Sequence, residues 1–158
     1  MLFNEIIATT TDEVCVSWFD FYSIGHICFG IGAFLLISLF YTIPKAKGKI
    51  PLFSLLLVFI ISLIIFIGWE ILENYLFFWS GMDHLKFEGR PDSLQNMVTD
   101  IILGAVGALG TWLFAYVTFE KDKKIWPYYT FGTINFCLWL GVFIVLRYLT
   151  FMNSPVIA

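Results

Sequence analysis

Charge is scarce in this chain of 158 residues. Only 13% of them are Asp, Glu, Lys or Arg, where a soluble domain averages roughly 25%, and this rules out an ordinary soluble domain of such size. Cysteine is also sparse. Cys15, Cys28 and Cys137 are odd in number and lack metal-type spacing, and two of them fall inside apolar stretches, so they build no disulfide framework. Basic residues are missing altogether from the opening MLFNEIIATTTDEVCVSW, which carries Glu5, Asp12 and Glu13 instead. That is the reverse of a secretory leader, and the stretch is expected to remain as an interfacial segment over residues 1–17. Nothing in the chain suggests nucleic acid as a partner.

Apolar residues fill the space that charge leaves. Mean hydropathy is +0.86 and aromatics make up 20% of the chain. Continuous apolar stretches cover about 19–42, 51–79, 93–119 and 127–152, each long enough for a hydrocarbon core that needs about 20 helical residues. They lack the alternation of an outer-membrane barrel. The expected fold is therefore all-α: a polytopic integral membrane protein, a four-transmembrane-helix bundle forming one membrane domain over 1–158. Trp18, Trp79 and Trp126 stand at expected span ends as interfacial anchors, and runs such as YLFFW read as lipid-facing surface. Lys45, Lys47 and Lys49 occupy one loop and Lys121, Lys123 and Lys124 another, while the loop between the second and third spans has only Lys86 and Arg90. The positive-inside rule then puts the six-lysine side in the cytoplasm of an inner-membrane protein, with both termini outside.

Within these spans the polar residues gather at one depth. At about 1.5 Å per residue, His26 lies roughly 9 Å in from Asp20, Glu70 roughly 13 Å from Trp79, Asp100 roughly 12 Å from Asp92, and Arg147 roughly 8 Å from Met152. All four measure from the outer end. An acidic group near a bilayer centre costs about 2.5 to 3.5 kcal/mol on insertion scales, so such groups are expected to face inward and share partners, protons, water or a metal. Glu70, Glu73 and Asn74 fall within one turn of GWEILEN, and Asp92, Asn96 and Asp100 step along one face of DSLQNMVTD. Gly25, Cys28 and Gly32 on the first span, and Gly104, Gly107 and Ala108 on the third, supply small-residue faces for close packing.

Each residue has a structural reading beside the functional one. Asp92, three before Gln95, matches a capping box; Asp20 suits an N-cap; Asn96 suits interhelical hydrogen bonding; and Arg147 suits a counter-ion to a Glu or Asp. Asp83, His84 and Glu88 read as solvated loop residues. His26, Glu70 and Asp100 are the hardest to explain structurally. One imidazole with carboxylates is an oxygen-rich ligand set suited to a divalent metal, Mg²⁺, Mn²⁺ or Zn²⁺, and the same groups could serve as a metal-free acid and base. Asp20, Glu73, Asn74, Asp92, Asn96 and Arg147 complete a ligand-binding pocket for a metal or lipid head group. Ser17, Ser23 and Ser93 form no nucleophile motif. The alternative is a non-enzymatic subunit or transporter-like module whose carboxylates form a proton or ion-pair network, with membrane lipids, other membrane chains or a second copy as partners.

YSIGHICFGIG, GWEILEN and DSLQNMVTDIILGAVGALG together resemble the YjdF-like membrane proteins, a family of unknown function, over roughly residues 20–112. The chain also resembles the small polytopic VanZ-like proteins, with Asp20, His26, Glu70, Arg90, Asp92, Asn96 and Gly104 at matching positions. The YjdF-like resemblance implies Asp where this chain has Asn96 and Arg90, so two carboxylates of that pattern are missing. Both resemblances imply a small polytopic membrane protein and neither supplies a reaction; action on cell-envelope components is the expectation drawn from the outward-facing polar pocket.

Overall fold

The structure, a computed structural model, describes residues 6–82, 89–121 and 124–154. Asp83, His84, Lys86, Glu88, Lys123 and Glu5 lie outside those residues. Among the described residues there is no strand, and four helices are long and apolar enough to span a membrane: Phe21–Ala46, Leu55–Trp79, Leu94–Phe119 and Ile125–Asn153.

The first span starts two residues later than expected because Asp20 caps it, its Oδ1 accepting from the Ser23 amide at 3.1 Å. It then runs four residues further. Ser38 interrupts the helix, its hydroxyl donating back to the Leu35 carbonyl at 2.8 Å, and a second segment carries Pro44 to Ala46. The second span starts at Leu55, not Pro51, because Ser54 Oγ caps the Leu57 amide at 3.1 Å. Near its C-terminal end the regular helix widens into a π turn over Leu72–Leu76 before closing at Phe77–Trp79. Residue periodicity gives no sign of that turn, and it carries both Glu73 and Asn74.

The first span is the centre of the bundle. The third packs along it most extensively, the second lies against the third and first, and the fourth rests mainly on the first. The small-residue expectation holds on the third span, but a different glycine answers it. A Cβ on Gly30 would overlap the Gly104 carbonyl oxygen and lie 3.0 Å from the Ala108 nitrogen, while one on Gly107 would overlap the Ile27 carbonyl oxygen. Gly25 and Gly32 face Phe143 and Phe136 of the fourth span instead. Phe34, Val58, Phe66, Ala108, Ala115, Phe119 and Tyr128 belong to the apolar core of the bundle. A hydroxyl cluster borders it: Tyr128 donates to Ser38 at 3.0 Å, and Tyr129 lies 2.8 Å from Thr42 Oγ1. Most large apolar side chains outside this core are exposed, Trp79 at 88% and Trp126 at 66%, as lipid-facing and interfacial residues are.

Residues 6–20 fold over the end of the bundle where the first and third spans begin. Ala8 and Phe19 pair through backbone hydrogen bonds around a bridge between Ile7 and Phe19. Cys15, buried at a positive φ of 68°, offers its carbonyl to the Ser93 amide at 2.7 Å. Arg90 donates to the Thr11 carbonyl at 2.7 Å, and the Thr11 amide donates to Ser154 Oγ at 2.8 Å. The segment thus ties the starts of the first and third spans to the end of the fourth.

Candidate functional site

His26, Glu70 and Asp100 meet, one from each of the first three spans. His26 Nδ1 lies 3.5 Å from Glu70 Oε1 and its Nε2 lies 3.6 Å from Asp100 Oδ2. One ligand atom from each residue fits within a sphere of mutual distances up to 4.8 Å. The register follows from the glycines beneath. Gly30 is one turn below His26 and Gly104 one turn below Asp100, so the closest approach of the two backbones sits directly under the imidazole and the carboxylate.

A chain of hydrogen bonds extends from the triad to the start of the third span. Asn74 Nδ2 donates to Glu70 Oε2 at 3.0 Å, and the Asp92 amide donates to Asn74 Oδ1 at 2.8 Å. The π turn carries Asn74, and the side-chain pair one turn apart survives it. Asp92 therefore contributes its backbone to the network. It does not cap the third span: Ser93 Oγ accepts from the Asn96 amide at 3.3 Å, so the capping expectation for Asp92 is corrected by one residue.

Asp20 and Asn96 form a second, structural group. Asp20 Oδ2 accepts from the Cys15 amide at 2.9 Å and from Asn96 Nδ2 at 3.3 Å, and Asn96 also donates to the Ser17 carbonyl at 3.0 Å. Both residues are buried and join the segment 6–20 to the bundle. Arg147, expected as a counter-ion, stands outside the triad. Its guanidinium lies 5.6 Å over the Phe151 ring, one turn from Phe143 on the same face of the fourth span, and the residue is exposed. Glu73 is half-buried and lines a cavity beside His26.

That cavity, about 360 Å³, is bounded by Tyr22, Gly25, His26 and Phe29 of the first span, Trp69 and Glu73 of the second and Phe143 of the fourth. Within the triad only His26 keeps appreciable exposure, 12% of its side chain against 3% for Glu70 and 2% for Asp100. Access to the buried carboxylates thus runs past the imidazole. The sequence named the triad and its partners but not the aromatic wall, whose residues read as generic lipid-facing surface.

A family model described as "Predicted membrane protein (DUF2238)" matches residues 6–121, which cover the N-terminal segment and the first three spans. The chain belongs to this family. All three triad residues fall inside the DUF2238 match, and the fourth span lies beyond it. The match bears out the YjdF-like half of the resemblance; the VanZ-like half has no counterpart in it. No curated protein and no solved structure matches the chain.

Proposed function

We propose that this DUF2238 protein holds a divalent cation, Mg²⁺, Mn²⁺ or Zn²⁺, between His26, Glu70 and Asp100, and that it acts on envelope lipids from the outer half of the inner membrane. The observation that carries the reading is the meeting of one imidazole and two carboxylates from three separate helices in a nearly dry setting. Two ionised carboxylates with a neutral imidazole bring two negative charges, which one divalent ion balances. Ser23 hydrogen-bonds the Asp100 carboxylate, but among the described residues its buried Oδ1 meets no donor, which is costly for a carboxylate oxygen unless a cation or a proton compensates it. The nitrogen–oxygen separations exceed the 2.7–3.2 Å of a hydrogen bond. The Nε2–Asp100 separation of 3.6 Å approaches the spacing of two neighbouring ligands around one ion whose bonds are about 2.0–2.2 Å long.

The chain's own residues have distinct tasks in this arrangement. Asp100 Oδ2 and His26 Nε2 face one another and would share the ion. Glu70 faces Nδ1 across 3.5 Å, and its charge favours a proton on that nitrogen, which would leave the Nε2 lone pair to the ion. Asn74 holds Glu70, and the Asp92 amide holds Asn74. A bound divalent ion would supply Lewis acidity towards a phosphate or carbonyl oxygen of a head group. The segment 6–20 covers the end of the bundle opposite the loops of Lys45, Lys47, Lys49, Lys121, Lys123 and Lys124, and the positive-inside rule supports an extracytoplasmic side for it.

A second reading has its own observation. Each ring nitrogen of His26 faces a different carboxylate, which is also the layout of a metal-free proton relay in a transporter-like module. Elemental analysis of detergent-purified protein, with and without chelator, separates the two. About one divalent ion per chain, lost in Glu70→Gln and in Asp100→Asn, supports the metal site. Absence of any divalent ion after growth and purification in metal-supplemented buffer removes it in favour of the relay.

A further inference from the structure

The cavity beside His26 has the chemistry of a cation cage. Its lining pairs Tyr22 with Phe143, ring centroids 6.2 Å apart, and Phe29 with Trp69, 5.9 Å apart and inclined at 68°. His26, Gly25 and Glu73, the last carried by the π turn, complete the lining. Aromatic faces combined with a carboxylate attract an ammonium group, the more strongly where water is excluded. Phe143 is shared with an adjoining groove of about 350 Å³ lined by Ile144, Arg147, Tyr148 and Phe151. Arg147 therefore sits on the far side of one phenyl ring from the cage. The second and fourth spans flank the first without close packing on one another, so both hollows open sideways, towards the bilayer.

We propose that the two hollows together bind the head group of a zwitterionic phospholipid, with its ammonium in the cage of Tyr22, Phe29, Trp69, Phe143 and Glu73 and its phosphate at Arg147. The charges fit in order and sign. An ethanolamine or choline head group places an ammonium two carbons from a phosphate, and here a carboxylate-lined aromatic pocket is separated by a single ring from an exposed guanidinium at a similar depth. The aliphatic chains remain among the lipid-facing side chains of the second and fourth spans, so the lipid need not leave the membrane. His26 in the cavity lining then brings the triad to the head group. This deepens the function proposed above by naming its ligand class, but it is tested without reference to the metal.

The test is titration of detergent-purified full-length protein with short-chain phosphatidylethanolamine, phosphatidylcholine and phosphatidylglycerol, with binding read from the rise in melting temperature. An ammonium lipid should bind about tenfold more tightly than phosphatidylglycerol, which has the same phosphate and no cation. Glu73→Gln should abolish that preference while leaving phosphatidylglycerol unchanged. Arg147→Gln should weaken all three to a similar degree. Equal affinity of the native protein for phosphatidylglycerol and the ammonium lipids, or no binding of any of them, overturns the proposal without requiring any variant to fold. Unchanged preference in Glu73→Gln overturns it as well. Divalent-ion content measured on the same Glu73→Gln sample keeps this failure distinct from failure of the metal site, because Glu73 is not one of the three proposed ligands.

Discussion

Gly30→Ala should damage the bundle out of proportion to the single methyl group it adds. The new Cβ would overlap the Gly104 carbonyl oxygen and lie 3.0 Å from the Ala108 nitrogen, both backbone atoms that cannot rotate away. A carbon–oxygen contact settles at about 3.3 Å, so the first and third spans must separate by on the order of 1 Å. Overpacking of this kind costs about 1–3 kcal/mol, and a backbone obstacle puts the expectation at the upper end. Alanine's better helix propensity returns about 1 kcal/mol at most. The net loss is about 1–2 kcal/mol, and because Gly30 and Gly104 lie one turn beneath His26 and Asp100, their separation also widens the 3.6 Å imidazole–carboxylate gap. Gly68→Ala provides the control, since nothing lies within 4 Å of its added Cβ. Thermal unfolding in detergent, run on both variants and on Gly107→Ala, should rank Gly30 and Gly107 well below the native protein and Gly68 level with it or above. Equal melting temperatures for Gly30→Ala and Gly68→Ala would refute the packing argument.

Asp20→Ala removes the acceptor of the Cys15 and Ser23 amides and of Asn96, and should lower stability by about 2 kcal/mol, with early hydrogen exchange of the Cys15 amide marking release of the segment 6–20. Arg147→Met should not rescue Glu70→Gln or Asp100→Asn. The guanidinium lies over Phe151, so melting temperatures of the double variants should equal the sum of the single effects, and a coupling above about 0.5 kcal/mol would show an ion pair instead. A cysteine placed at Gly48, beside Lys45, Lys47 and Lys49, should react with an impermeant reagent only from the cytoplasmic side; labelling from outside would reverse the orientation.

What the sequence made legible follows from which forces act locally. Four spans and a common depth for His26, Glu70 and Asp100 could be read directly, because hydrocarbon tolerates only long apolar helices and makes every buried charge conspicuous. The cap at Asp20 was legible for the same reason: its side chain answers amides within its own turn. The cap at Ser93 was missed by one residue, since Asp92 and Ser93 are both good caps and the choice depends on Asn74, a partner from another helix. Gly30 was passed over in favour of Gly25 and Gly32, because one helix offers several small residues and only the neighbours decide which of them meets the third span. The π turn and the aromatic cage were not legible at all. Both depend on packing between the first, second and fourth spans, and a lipid-facing Trp and a cavity-lining Trp69 look alike in a sequence.

Diffraction at the manganese absorption edge, from crystals of the protein soaked in Mn²⁺, addresses the central claim most directly. A single anomalous peak within about 2.0–2.4 Å of His26 Nε2 and a carboxylate oxygen of Asp100, with Glu70 on the same ion or on Nδ1 and no peak in Asp100→Asn crystals, is the predicted result. A native crystal with no peak among His26, Glu70 and Asp100 under saturating Mn²⁺, or one whose peak persists unchanged in Asp100→Asn, would contradict it.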